Sequence, residues 1–502
     1  MARQAPVVST ASGDVEGVWR AWRPSLRPDA PVTEFATFRG IPFAAPPVGD
    51  ARFDAPRPPA AWDGVRAAHE FGPTPQLYSP YNPARIPEPS IAGEDTLSVN
   101  VTTPDPSPSA KLPVLVWIHG GGFEAGSAAS PWYVGEAFAR DGVVTVTASY
   151  RLGFEGFGWV DGAVNNRAVL DWIAALRWVQ DNVAAFGGDP ARVTIAGQSA
   201  GGAAVMRLLT LESAQDLFRA VLAVSPADTS LEIPRAKRGA QRVAGAAGAT
   251  NRLESLRDAS PLALFEARDH WTPAPADRLG RLAIRSYRPM LPGPVVDGEV
   301  IPQSVSTALV AGIGADKALL IGATAHEANE QLLPFKPLLL SQNPERVFER
   351  AGIPPRLAAR YLEAAGPDVA WALGQVVTDA LFRAHVASWA LLRAGASAPT
   401  WVYDFRWESQ APGVRGAAHC VDVPFGFDIL GADGVPEAAG DTPPQPLADA
   451  VHGDWLGVVS GENIAADHKD RFATIVYGAD GGRREELQGY ALERELATHL
   501  DK

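Results

Sequence analysis

The sequence predicts an α/β fold, a central and mostly parallel twisted sheet flanked by helices, and three observations lead there. Two apolar runs, Leu112 to Ile118 and Val143 to Ala148, are rich in β-branched residues and too short for typical helices. Both therefore read as buried strands, which implies the two-sided cover of a parallel sheet. Between and after them come helical patterns, so that strand and helix follow one another in the order of a parallel sheet with helices on both faces.

Taken along the chain, the long helix is expected over Asn166 to Phe186, where Leu170, Ile173, Ala174, Leu176, Trp178 and Val179 recur at near-helical spacing. Gly187-Gly188-Asp189-Pro190 should end it, since glycine accepts the left-handed cap conformation and proline cannot continue the helix. A strand, Val193 to Ala196, is expected next, then a tight turn Gly197-Gln198-Ser199-Ala200-Gly201-Gly202 into a helix over Ala203 to Leu209. Residues 230–400 are helix-biased and read as a helical cap or lid, interrupted by the segment RPMLPGPVVDGEVIP and by a short strand, LLIG, before Ala323. Gly431 to Pro446 reads as a surface loop. With no internal repeat and no heptads, residues 5–500 are expected to form a single domain.

Composition narrows the function. A 502-residue chain that is 46% apolar and 20% charged is globular with a large core. Its formal net charge of -13 lacks the basic face a nucleic-acid partner needs. Cys420 is the single cysteine, so no internal disulfide forms, which fits a reducing cytoplasm. The N-terminus has no basic-then-apolar leader pattern, and no apolar run approaches the roughly 20 residues of a membrane-spanning helix.

The chemistry gathers in two glycine-rich segments. A serine hydroxyl is a poor nucleophile until a neighbouring base takes its proton, and it must be exposed to an incoming carbonyl. A strand-to-helix turn with flanking glycines presents Ser199 in that way. Taken alone, the same pentapeptide could be no more than a helix cap. The second segment, His119-Gly120-Gly121-Gly122-Phe123, directly follows the buried run LPVLVWI. Its uncovered backbone N–H groups can hold the oxyanion of a tetrahedral intermediate, each such donor contributing roughly 2.7 to 4 kcal/mol. It lacks the Gly-Lys-Ser/Thr ending of a phosphate loop. His119 reads as a residue that braces the loop. Metal hydrolysis is not supported, since there is no His-Glu-x-x-His segment and no Cys/His cluster. Cys420 reads as a small packing residue.

These segments, together with FRGIPFAAPPVGDARF, GEDTLSVNVTTP, ASYRLGFEGF, ALRWVQDNVAAFGGDPARVTIAGQSAGG, GPVVDGEVIP, LLIGATAHEANE and GAAHCVDVPFGFD, resemble the type-B carboxylesterase family, the cholinesterase-like branch of the α/β-hydrolases, in a bacterial, para-nitrobenzyl-esterase-like form. The resemblance spans nearly the whole chain. It implies the α/β-hydrolase fold with cap insertions, Ser199 as nucleophile, Glu327 as orienting acid and His419 as base. It also implies an oxyanion hole from the amides of Gly121, Gly122 and Ala200. The acid segment of the family, an Asp-Glu-Gly-like turn, here reads His326-Glu327-Ala328, with Glu330 as the alternative acid. Gln198 replaces the glutamate common before the nucleophile, so no choline preference is expected. AVLAVSPAD replaces a Gln-Ser-Gly-Ser type segment, and Thr96 stands where animal members carry a disulfide cysteine. Two ion pairs are expected, Arg39 with Glu94 and Arg151 with Asp171.

The expected activity is hydrolysis of uncharged carboxylic esters, with carbamates or activated amides as the alternative, in a pocket bordered by Phe123, Gln198 and cap residues. No metal or organic cofactor is called for; the partner is a small-molecule ester substrate, and the protein is expected to be a monomer or small homo-oligomer. A rival of another class is a non-catalytic binding protein of the same fold.

Overall fold

The structure, a computed structural model, describes residues 4–24, 26–79, 86–272, 292–339 and 341–500. Its main sheet has eleven strands in the spatial order Arg483–Glu486, Thr474–Tyr477, Thr400–Phe405, Ala318–Thr324, Ala220–Val224, Gly188–Gln198, Leu112–Ile118, Val144–Ala148, Ser98–Thr103, Thr33–Pro42 and Val18–Trp22. From Thr474–Tyr477 through Val144–Ala148 every pair is parallel, and antiparallel strands finish both edges.

Two cores explain why the central strands do not alternate. Along Leu112–Ile118, Val114, Val116 and Ile118 enter one core with helices Arg167–Asn182 and Ala200–Leu209, while Leu115 and Trp117 enter another with helix Gln445–Ser460. Ala220–Val224 divides in the same way, Val221 and Ala223 on one side and Leu222 and Val224 on the other.

The local expectations hold with shifts at the ends. The long helix runs Arg167–Asn182, tightens to a 3-10 turn over Val183–Phe186, and stops at Gly187, whose φ is +87°. The following strand begins at Gly188, earlier than its apolar run, because Gly188 pairs with Leu112 and a register shift precedes Val193. Proline is tolerated at such an irregularity, which is how Pro190 enters the strand. The next helix starts at Ala200 rather than Ala203, so Gly201 and Gly202 are helical. Close packing dictates glycine there: a Cβ would stand 2.0 Å from the Ile118 carbonyl oxygen at Gly201 and 2.5 Å from that of Val224 at Gly202.

The expected loop Gly431 to Pro446 contains a short helix, Val435–Ala439, started by Pro436 and anchored by buried Val435 and Ala439. Stretch 230–400 divides in two. Helices Ile233–Ala246, Leu253–Arg257 and Pro261–Glu266 cluster on Phe53 and Phe154. Helices Pro344–Arg350, Pro355–Ala365, Val369–Thr378 and Ala384–Leu392 instead join the main core through residues such as Phe348, Tyr361 and Val376. The start of RPMLPGPVVDGEVIP, residues 288–291, lies outside the described residues.

One expected ion pair forms and the other does not. The Arg151 guanidinium donates to both Asp171 carboxylate oxygens, at 2.7 and 2.9 Å, with both side chains buried. Arg39 instead lays its guanidinium 4.1 Å from the centre of the Phe71 ring, and Glu94 is exposed. The cation thus rests on an aromatic face, and the carboxylates that act on it are Glu70 and Glu136.

Candidate active site

Ser199 sits where the strand Gly188–Gln198 meets the helix Ala200–Leu209, with φ +58° and ψ −120°. That region is nearly closed to residues with a side chain, and holding one there costs on the order of 1–3 kcal/mol. Two backbone bonds hold it: the Ser199 amide donates to the Val224 carbonyl and the Ala203 amide donates to the Ser199 carbonyl, both at 2.9 Å. Ala200, the first helical residue, has an N–H that cannot bond within the helix.

The glycine loop leaves Leu112–Ile118 beside this turn. A Cβ on Gly120 would stand 3.2 Å from the Ser199 Cβ, which measures how close the two backbones run. Gly121, Gly122 and Phe123 all have positive φ, at +101°, +63° and +63°. His119 braces the loop as expected: it is fully buried, stacks on Tyr150, and burial pushes its pKa down to about 4, so it stays neutral.

Phe123 departs from expectation. Its positive φ turns the ring inward, against Phe157 at 4.5 Å and Trp172 at 5.8 Å, with no surface left exposed. It therefore packs the core under the loop and does not border a pocket.

Glu327 and His419 come from distant parts of the chain. Glu327 follows the strand Ala318–Thr324, and its Oε1 accepts the Thr324 amide at 2.7 Å while Oε2 meets Nδ1 of His419. The two segments are joined by an isolated bridge between His326 and Ala418, in which the His326 amide donates to the Ala417 carbonyl and the Ala417 amide donates to His326 Nδ1, each at 3.0 Å. Accepting that amide requires a neutral ring, and burial indeed lowers the His326 pKa to about 4.

The missing glycine of the acid turn has a simple explanation. Ala328 sits at φ −127°, a conformation any residue adopts. Its amide donates to Thr378 Oγ1 at 2.7 Å, and that hydroxyl donates to Asn329 Oδ1 at 2.6 Å. Gln375 adds a bond to the Ala325 carbonyl at 2.9 Å. Glu330, the alternative acid, accepts the Arg415 amide at 2.7 Å.

Electrostatics separate the two partners. Burial alone would raise the Glu327 pKa, but the facing His419, the nearby Ser225 hydroxyl and the Thr324 amide hold it below the usual carboxylate range. Burial alone would lower that of His419, but Cys420 and Glu327 outweigh it and hold the ring well above the usual imidazole range. Cys420, half-buried beside the base, packs against the core that holds Trp117 and Trp455, in keeping with its reading as a small packing residue. Asp422 is a further buried carboxyl nearby, pushed up to about 7 by burial and by Glu327, and it accepts the Tyr403 hydroxyl at 2.9 Å.

Gln198 is 1% exposed, and its side-chain nitrogen lies 3.2 Å from Nε2 of His419. Sequence reasoning placed Gln198 in the pocket but gave no sign of this contact. It also missed Thr378 and Gln375, whose only signal is their position on a helix that the fold brings under the acid turn.

A parallel sheet with a strained serine turn, a positive-φ glycine loop and a glutamate–histidine pair beyond the strand ends defines the α/β-hydrolase class. Comparison with known proteins makes this particular. Residues 4–435 match the model of the carboxylesterase family, and the chain belongs to that family. It is 31% identical over 432 residues to a para-nitrobenzyl esterase of Bacillus subtilis (strain 168), covering 84% of this chain and 85% of the relative. It is 32% identical over 476 residues to a phenmedipham hydrolase of Pseudarthrobacter oxydans, covering 90% of each. A Geobacillus stearothermophilus carboxylesterase crystal structure superposes with a TM-score of 0.80 at 31% identity, covering 97% of this chain and 99% of that one. The protein is a carboxylic ester hydrolase. No helix among the described residues is long and apolar enough to cross a membrane.

Proposed function

We propose that Ser199 is the nucleophile, His419 its base and Glu327 the acid that orients the base, in the hydrolysis of uncharged carboxylic esters. The observation that carries this reading is the contact of Glu327 Oε2 with His419 Nδ1, beside the strained turn of Ser199. With Nδ1–H donated to Glu327, Nε2 carries the lone pair that takes the Ser199 proton as Oγ attacks the ester carbonyl. The amides of Gly121, Gly122 and Ala200 receive the resulting oxyanion. His419 then gives its proton to the departing alcohol oxygen, leaving Ser199 acylated. A water, deprotonated by His419, adds to the acyl carbon, and collapse releases the acid and returns the proton to Ser199.

Gln198 places a neutral amide where a carboxylate would attract cationic alcohol groups, which supports uncharged substrates. The cap over part of residues 230–400 supports medium or bulky acyl groups over acetyl. The relatives' names make para-nitrobenzyl esters and phenmedipham sensible members of the substrate panel. A single cysteine in the chain fits a cytoplasmic enzyme.

The test is Ser199→Ala with a short p-nitrophenyl ester. Turnover should fall by on the order of 10⁴-fold or more, and the wild type should be labelled stoichiometrically by a fluorophosphonate. Activity within about tenfold of wild type in Ser199→Ala would remove the nucleophile from the reading. Absence of labelling would favour an inert binding protein.

A further inference from the structure

The Gln198 amide nitrogen lies 3.2 Å from the ring nitrogen that the proposed reaction needs for the serine proton. Its Oε1 points the other way, standing 3.0 Å from the place a Cβ on Gly120 would occupy. Because Glu327 engages Nδ1, the neutral ring carries its hydrogen there and offers only a lone pair at Nε2. The contact is therefore an N–H···N bond in which Gln198 donates. One lone pair cannot be held fully by the Gln198 amide and by the Ser199 hydroxyl at once.

Once Nε2 has taken the serine proton it becomes a donor, and the Gln198 NH₂ then faces it donor to donor. A glutamate, when ionised, can only accept, and so favours the charged ring. We propose that Gln198 is a positioning residue for His419: its side-chain amide holds the resting imidazole through Nε2, favours the uncharged ring, and so sets the pH range in which the base works. This rests on the assignment of Ser199, His419 and Glu327 above and adds a fourth side chain to it.

The charged and titratable groups facing His419 are Glu327, from the turn after Ala318–Thr324, and Cys420 and Asp422 from its own loop. From the helical side the uncharged ring of Phe382 lies 5.0 Å from the His419 ring, and Arg383, next along that segment, donates to the Thr324 carbonyl at 3.1 Å, on the acid's side of the pair. Glu327 draws the ring toward its charged form, and Gln198 opposes it.

The test is the acid limb of kcat/KM, which reports the free enzyme's base. It is measured with an uncharged p-nitrophenyl ester from about pH 5 to about pH 9 for wild type, Gln198→Glu and Gln198→Met. Replacing the donor by an ionised acceptor should move the limb up by about one pH unit, and removing it should move the limb up by about half a unit. Should Gln198→Glu not fold, the Gln198→Met limb decides. A residue that merely packs would lower the plateau and leave the limb in place. A limb that stays within about 0.2 units of wild type, or moves down, overturns the proposal. Ser199→Ala, run alongside, separates the two readings. If it turns over, the assignment beneath this inference fails with it. If it is inactive, the wild type is labelled and the limbs coincide, only the inference about Gln198 fails.

Discussion

The two halves of the candidate site are held by different means. Around Ser199 the backbone itself is the device: strand, turn and helix lie within one short stretch, and carbonyls of Ile118 and Val224 press on glycines with no room for a side chain. Around Glu327 and His419 the device is a set of side-chain and bridge bonds between segments 92 residues apart, pinned from beneath by Thr378 and Gln375. The difference teaches where each half should fail. The serine side should fail by steric displacement, and the acid–base side by loss of one hydrogen bond at a time.

After loss of the nucleophile itself, the largest effect should come from Glu327→Gln. The amide is nearly the same shape, but its NH₂ can donate to Nδ1 and so favour the tautomer with the hydrogen on Nε2, where it cannot receive the serine proton. A comparable change in a Ser-His-Asp enzyme lowers kcat by about 10⁴-fold, and a loss of about 10³- to 10⁴-fold is expected here. The pH profile should move too. The carboxylate helps hold the His419 pKa above the usual range, so the wild-type acid limb should lie above about pH 6.5. Without that carboxylate one of the two groups opposing burial is lost, and the limb should fall to lower pH. Steady-state kinetics over that range decide both, and a variant within tenfold of wild type would mean that the acid–base half does not depend on this bond.

The same contrast governs what could be read in advance. The central strands were legible because burial on both faces removes alternation, as in Leu112–Ile118. The serine turn was legible because everything that strains it is local. Glu327 came only through family resemblance, since nothing near it in the sequence specifies its partner. Phe123 was misplaced because its direction depends on a φ of +63°, which a phenylalanine gives no sign of adopting. The pair Arg39–Glu94 failed for a similar reason, as the Phe71 ring that takes the cation belongs to another segment. Thr378 could not be found at all, because its role exists only once a helix packs beneath the acid turn.

Next in size is Gly201→Ala, which attacks the serine half where the fold leaves least room. The added Cβ would meet the Ile118 carbonyl oxygen at 2.0 Å, and backbone cannot step aside as a flexible side chain can. Overpacking of this kind costs typically 1–3 kcal/mol and occasionally more, so about 3 kcal/mol is expected. Calorimetry should show the lower Tm, and fluorophosphonate labelling of whatever folds should slow as the Ile118 strand and the serine turn are pushed apart. Unchanged Tm and labelling would mean that the contact relaxes and that the backbone is less rigid than the geometry implies.

The smallest effects test the acid–base half by its supports. Thr378→Val keeps the shape and removes the hydroxyl that both accepts the Ala328 amide and donates to Asn329, leaving buried groups unpaired. Each unpaired group costs about 1–3 kcal/mol, yet Glu327 keeps its own bonds to Thr324 and His419. Stability should therefore fall by about 2 kcal/mol while kcat falls less than tenfold. Glu330→Gln should change kcat/KM by less than about twofold, because Glu330 accepts the Arg415 amide and an amide oxygen can accept the same N–H. If Glu330→Gln instead matched the loss expected for Glu327→Gln, the acid would lie three residues further on, and the bond between Glu327 and His419 would be scaffold.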